Sequence, residues 1–181
     1  MSYQGKIKEW IEADSARMQA LAAAASLNLP DWCLAAGLVR NLVWDKTHGY
    51  RTLTGLNDID FIYFDPADDS EVRDYDLEKI LASVVDLPWS VKNQARMHKR
   101  NHDNPYRSTL DAMSYWPEVE TAVGAALNSF GDVILISPFG FESLFNRTVT
   151  INAKRPKPLV FNERMINKRW LKTWPKLVVN T

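Results

Sequence analysis

The spacing of apolar residues changes character several times along the chain. Between residues 5 and 27, Ile7, Trp10, Ile11, Met18, Leu21, Ala22 and Ala25 recur at helical intervals, which predicts one amphipathic helix. Asn28 and Pro30 end it. "DWCLAAG" (31–37) is then a short apolar run closing on Gly37, the pattern of a strand entering a tight turn. "LVRNLVWDKTHGY" (38–50) returns to helical spacing, with Gly49 placed as its C-terminal cap. Residues 58–64 read as a buried strand headed by two acids. Asp68 and Glu71 have capping-box spacing ahead of a helix over about 70–85, which carries Val72, Leu77, Ile80, Leu81 and Val84.

Further on, Trp89–Met97 reads as a strand and "KRNHDNPYR" (99–107) as a polar loop. Ser108 with Asp111 opens a predicted helix over about 109–129, stopped by Gly131. "VILIS" (133–137) is a strand, "PFGFESLFN" (138–146) a turn and short helix, and "RTVTIN" (147–152) a last strand. "FNERMINKRWLKTW" (161–174) reads as a terminal helix before Pro175. Strands and helices mostly alternate, so the expected architecture is a sheet covered by helices.

Composition adds bounds to this pattern. The chain has 181 residues, 46% of them hydrophobic, which suits one domain with a real core. We expect a core over about 15–152 and a basic helical extension over about 153–181. Lys plus Arg and Asp plus Glu are 22 each, so net charge argues neither for nor against a nucleic-acid partner. The single Cys33 cannot form an internal disulfide, and no signal peptide is read, so a cytoplasmic location is expected. No apolar run approaches the ~20 residues of a membrane span.

Charge is uneven along the chain. Residues 57–86 hold ten acids against two bases, and residues 154–176 hold eight bases against one acid. If the two segments meet, they hold the fold together; if not, the basic one is a candidate for phosphate or RNA contact, or both are solvated faces.

The acids at the head of the 58–64 strand raise a chemical question. Residues i and i+2 of a strand share a face, so Asp58 and Asp60 project together. Burying even a neutral polar group unpaired costs about 2–7 kcal/mol. A divalent cation would balance the pair, since Mg²⁺ takes one or two carboxylates together with phosphate oxygens. The plain alternative is an exposed strand end whose acids cap turns. Upstream, Gly37 lets backbone amides approach a phosphate, and the helix that follows adds its dipole.

These residues resemble a known family. "LAAGLVRN" (34–41) and "DIDFIYF" (58–64) are similar to the DNA polymerase β-like nucleotidyltransferase superfamily. There, a glycine turn after the first core strand leads into a helix, and a D-x-D pair lies on the next strand. A bacterial nucleotidyltransferase-like branch is more closely similar, through "AAGLVRNLVWDKTHG", "LNDIDFIYFDP", "WSVKNQARMH", "SPFGFESLFN" and "ERMINKRWLKTWP", over about residues 15–178. The resemblance implies an α/β fold of the α+β type, with a mixed β-sheet covered by helices. It implies Mg²⁺- or Mn²⁺-dependent transfer of a nucleoside monophosphate from an NTP to an acceptor, which is a small molecule, a protein or RNA. Asp58 and Asp60 would be the catalytic, metal-holding acids. Gly37, Arg40, Asn41, Lys92, Asn93 and Arg96 would contact nucleotide.

Two departures accompany the resemblance. Leu38 stands where the superfamily usually has a second glycine or a serine. The superfamily also tends to place a third carboxylate on a later strand, and "WSVKNQARM" (89–97) has none. A catalytically silent nucleotide-binding or protein-interaction module is therefore the alternative expectation. Lys92, Gln94, Arg96 and His98 alternate along their predicted strand and would share a triphosphate-facing side. Glu142 is the reserve candidate for the missing acid. Cys33 reads as a buried thiol, His48 as a cation favourable at a helix end, and the His98–His102 spacing is discounted as a metal pair.

Overall fold

The computed structural model describes residues 2–181. Two helices, α1 (Tyr3–Glu12) and α2 (Ser15–Ser26), occupy the span expected to be one. The break is made by Asp14, whose carboxylate accepts from the amides of Ala16 and Arg17 and so caps a new helix. The chain continues through β1 (Trp32–Ala35), α3 (Gly37–His48), β2 (Ile59–Tyr63), α4 (Glu71–Val84) and β3 (Trp89–Asn93). Then follow α5 (Gln94–Asn101), α6 (Thr109–Met113), β4 (Gly124–Leu127), β5 (Val133–Ile136), α7 (Glu142–Phe145) and β6 (Thr148–Thr150). The last elements are α8 (Pro158–Asn167), α9 (Trp170–Thr173) and β7 (Val178–Asn180).

Five strands form one mixed sheet in the order β3-β2-β1-β4-β5. Only β2 and β3 run parallel; the other pairs are antiparallel. One face carries the larger apolar residues, among them Leu34, Ile59, Phe61 and Val91, and is packed with Ile7, Leu21, Leu38, Leu42 and Leu81 of α1–α4. The other face is lined by small residues, Cys33, Ala35 and Ala126, with Ile62. It is only partly covered, by Met113 and Trp116.

Three expected elements are corrected. The strand read over 89–97 stops at Asn93, whose side chain accepts from the Ala95 amide at 3.0 Å and starts α5. Gln94, Arg96 and His98 are therefore helical, and the strand-face alternation with Lys92 does not exist. The helix read over 109–129 is confined to Thr109–Met113, and the alanine-rich run after Pro117 becomes β4. Tertiary packing overrides propensity there, because a Cβ on Gly124 would meet Cys33 Sγ at 2.6 Å. The terminal helix is split at Arg169, which has a left-handed φ of 53°.

The C-terminal segment packs onto the outer side of α3. Trp44 of that helix meets Phe161, Trp170, Trp174 and Leu177 in a separate apolar cluster. Asp45 accepts from Trp174 Nε1 at 2.8 Å, and His48 Nε2 accepts from the Lys176 amide at 3.1 Å. Among the described residues, no ion pair joins segment 57–86 to segment 154–176. The basic segment pairs instead with Asp103, Asp111 and Glu118. No helix among the described residues is long and apolar enough to cross a membrane.

Candidate active site

The small-residue face of the sheet opens into a cleft of about 910 Å³. Asp60 is the second residue of β2, in register with Ala35 on β1 and Ser90 on β3. Asp58 immediately precedes β2 and lies on the same side two residues back, and both acids line the cleft. Burial and then the neighbouring Asp58 push the Asp60 carboxyl above its ordinary range, against the opposing pull of Arg40, Lys168 and Arg164. No hydrogen bond from the described residues relieves it.

The turn between β1 and α3 forms one end of the cleft. Its unusual backbone falls on Ala36, with φ 52° and ψ −112°, and not on Gly37. Ala36 is held there by its amide, which donates to Val123 O at 2.7 Å, and by its carbonyl, which accepts from Arg40 N at 2.8 Å. A positive φ on a residue with a Cβ costs of order 1–3 kcal/mol and tends to mark functional turns. Gly37 matters for space: a Cβ there would lie 3.3 Å from Asn41 Nδ2.

Arg40, one turn into α3, is 6% exposed. Its Nε and Nη2 donate to Asn41 Oδ1 at 3.2 and 3.0 Å, and its Nη1 donates to Thr121 Oγ1 at 2.9 Å. The guanidinium also lies 5.1 Å from the Trp44 ring and 4.6 Å from the Trp170 ring. Burial lowers its pKa to about 10, opposed chiefly by Glu118. Residues 54–57 form a side wall, tied to α3 because Thr54 donates through N and Oγ1 to Asp45 Oδ2 at 2.7 and 2.8 Å.

Of the residues singled out in the sequence, Gly37, Arg40, Asn41, Asp58, Asp60, Lys92 and Gln94 line this cleft together. Asn93, Arg96, His98 and Glu142 do not. Asn93 is fully buried, donates to the Asp65 and Asp68 carbonyls at 2.7 and 2.9 Å, and organises the loop between β2 and α4. Arg96 pairs with buried Asp74 on the far side of β3. His98 packs edge-on against Tyr106, and Glu142 stands exposed in the first turn of α7.

Sequence reasoning missed Thr121, Arg100, Lys157, Arg164, Lys168 and Trp170, which also line the cleft. The charge run over 154–176 was the available signal for three of them. It could not say which bases turn inward.

Among the described residues, no cluster of three or more His, Cys, Asp or Glu side chains could enclose a metal ion. Two oxygen-bearing acids fit a hard divalent cation whose remaining ligands come from water and a bound phosphate. Residues 22–179 match a nucleotidyltransferase family profile. The chain belongs to the nucleotidyltransferase family. An NMR structure described as revealing a CCA-adding enzyme head domain is 34% identical to this nucleotidyltransferase-family chain, with a TM-score of 0.83 over 98% of this chain and 96% of that one. A CCA-adding enzyme solved with CTP is 14% identical at TM-score 0.60, over 98% of this chain but 43% of its own. The apo form of a tRNA-processing enzyme is 16% identical at TM-score 0.52, over 100% of this chain and 45% of its own. The last two likenesses concern the fold alone. No curated protein matches the chain. The fold is that of the polymerase β-like nucleotidyltransferases, with its mixed five-stranded sheet.

Proposed function

We propose that the chain is a Mg²⁺- or Mn²⁺-dependent nucleotidyltransferase that moves a nucleoside monophosphate from an NTP to an acceptor hydroxyl or phosphate. The observation that carries this reading is the Asp58–Asp60 pair in the cleft, with Asp60 raised by burial and by its neighbour and no donor to relieve it. The family membership and the likeness to a CCA-adding enzyme head domain support the same class of reaction.

Asp58 and Asp60 would hold the ion, which when bound neutralises charge on the α-phosphate and orients the attacking oxygen. Gly37 leaves the start of α3 open, so that first-turn amides and the helix dipole can receive phosphate oxygens. Lys92 adds positive charge from β3. Arg40 and Asn41 bond each other at the base of the turn and keep its shape. We read residues 1–181 as one domain acting in the cytoplasm. The packing of Trp44 against the C-terminal segment supports the first point and the lone Cys33 the second.

A second reading is a silent nucleotide-binding module. It is favoured by the residue opposite Asp60 on β3, which is Ser90 and not an acid. Incubation with each labelled NTP, Mg²⁺ and a cell extract separates the two. Labelled product that disappears in Asp60→Asn supports the enzyme. Metal-dependent binding of nucleotide with no product from any NTP supports the silent module.

A further inference from the structure

The cleft that holds Asp58 and Asp60 is also lined by cations from the far end of the chain. Arg164 of α8 and Lys168, the residue that caps that helix, both line it. They are four residues apart, so they stand on the same side of the helix one turn apart. Both lower the Asp60 pKa, yet neither forms an ion pair with Asp58 or Asp60 among the described residues. A space lined by acids and by bases that do not pair with them is suited to a ligand carrying both signs of charge, a cation together with phosphates.

Arg164 is also held ready. Its Nε donates to Glu118 Oε1 at 2.6 Å, and the Glu118 side chain is fully buried. The opposite Glu118 oxygen, Oε2, has no partner among the described residues. The Arg164 guanidinium lies 5.6 Å from the Trp170 ring, and Arg40 lies 4.6 Å from the same ring. Carboxylate and indole together limit how Arg164 can turn. Its Nη donors have no partner among the described residues, whereas Arg40 spends hydrogen bonds from all three of its nitrogens on Asn41 and Thr121.

We propose that Arg164 and Lys168 form the site for the β- and γ-phosphates of the nucleotide, the part that departs as pyrophosphate, and that buried Glu118 is the positioning residue that aims Arg164. This rests on the metal–nucleotide reading of Asp58 and Asp60. It adds a contact from the C-terminal segment to those from the start of α3 and from Lys92. A buried carboxylate is costly unless it is paired, so Glu118 is kept by its bond to Arg164, and that bond leaves the outward donors of Arg164 for ligand.

The test is calorimetric titration with Mg²⁺ and inorganic tripolyphosphate, and then with each NTP and its matching NMP. The wild-type protein is expected to bind tripolyphosphate. Arg164→Gln and Lys168→Gln should each weaken tripolyphosphate and NTP by about tenfold, the effect of one charge-assisted hydrogen bond, while NMP affinity changes little. Glu118→Gln keeps the shape and an acceptor. It should raise KM for NTP with kcat nearly unchanged, a split that loss of packing alone would not produce. Should Glu118→Gln fold poorly, the Arg164 and Lys168 variants decide the matter alone.

Equal tripolyphosphate affinity in the wild type and the Arg164→Gln/Lys168→Gln double variant overturns the proposal, as does absence of tripolyphosphate binding by the wild type. Binding lost in the double variant, with no NTP turned over by the wild type, keeps the phosphate site and removes the transferase reading. Turnover that depends on Asp60 but is indifferent to Arg164 and Lys168 does the reverse.

Discussion

Asp60 and Asp74 belong to the same acidic stretch, and the fold treats them in opposite ways. Asp74, on α4, is 2% exposed and surrounded by donors. It accepts from Tyr63 Oη at 2.7 Å and from the Asn93 amide at 3.0 Å, and it is paired with Arg96. Asp60 is half-buried, but its strongest charged influence is another acid, Asp58, and no cation forms an ion pair with it among the described residues. The first carboxylate is a closed structural joint between α4, β2 and β3. The second is left open on the cleft side of the same sheet. Where a fold satisfies a buried acid completely, the acid belongs to the architecture; where it desolvates one and leaves it without a partner, the acid is a candidate for ligand contact.

Mutations can break this contrast from either side. The largest effect is expected at the closed joint. Asp74→Ala strands the buried Arg96 and should cost about 3–5 kcal/mol in chemical denaturation, while the folded fraction keeps its response to Mg²⁺ and nucleotide. A variant that kept its stability and lost ligand binding would reverse the roles assigned to the two aspartates. Asn93→Ala comes next. Its side chain bonds the Asp65 and Asp68 carbonyls and caps α5, so about 2 kcal/mol of stability should go. Nucleotide affinity measured on the folded protein should be unchanged, which is a direct test of the sequence expectation that placed Asn93 on the nucleotide.

Smaller effects are expected in the cleft. Ala36→Gly relieves a positive φ and should stabilise the protein by about 1 kcal/mol, visible as a higher denaturation midpoint. A loss of stability there would mean that Ala36 is not held as described. The mildest change is Asp60→Asn without metal. Because the folded carboxyl has a raised pKa, the folded state holds its proton more tightly than the unfolded state. The wild type therefore loses stability as pH rises from the ordinary value of 3.8 through the raised one. Asp60→Asn lacks that loss, so its stability relative to the wild type should grow over this window and hold at neutral pH. A ratio that stays flat with pH would show that Asp60 carries no burial penalty.

Much of this contrast was legible in the sequence on the Asp60 side. The order of strand, glycine turn, helix and D-x-D strand placed Gly37, Asp58 and Asp60 before any contact was known, and all three line the cleft. The Asp74 side was not legible. Lys92, Gln94, Arg96 and His98 alternate as they would on a strand, and nothing local announces that Asn93 caps a helix there. The role of Arg96 follows from a carboxylate 22 residues away that the pattern could not pair with it. Gly124 in an alanine-rich run is a similar case, because its strand identity depends on Cys33 across the sheet. Arg164 and Lys168 were visible only as charge, since the direction of Arg164 is set by Glu118 from another segment and by the Trp170 ring.

The central claim is that half-buried Asp60 and the exposed Asp58 beside it are a pair that receives a metal–nucleotide ligand. Thermal unfolding of the wild type and of the Asp58→Asn/Asp60→Asn variant, with Mg²⁺ and each NTP in turn, tests it most directly. At a ligand concentration 100 times the dissociation constant, binding adds about 2.7 kcal/mol to the native state, a readily measured rise in Tm. The account predicts this rise in the wild type with both metal and nucleotide present, and none in the double variant. An equal rise in the two proteins, or none in the wild type with any of the four nucleotides, would contradict it.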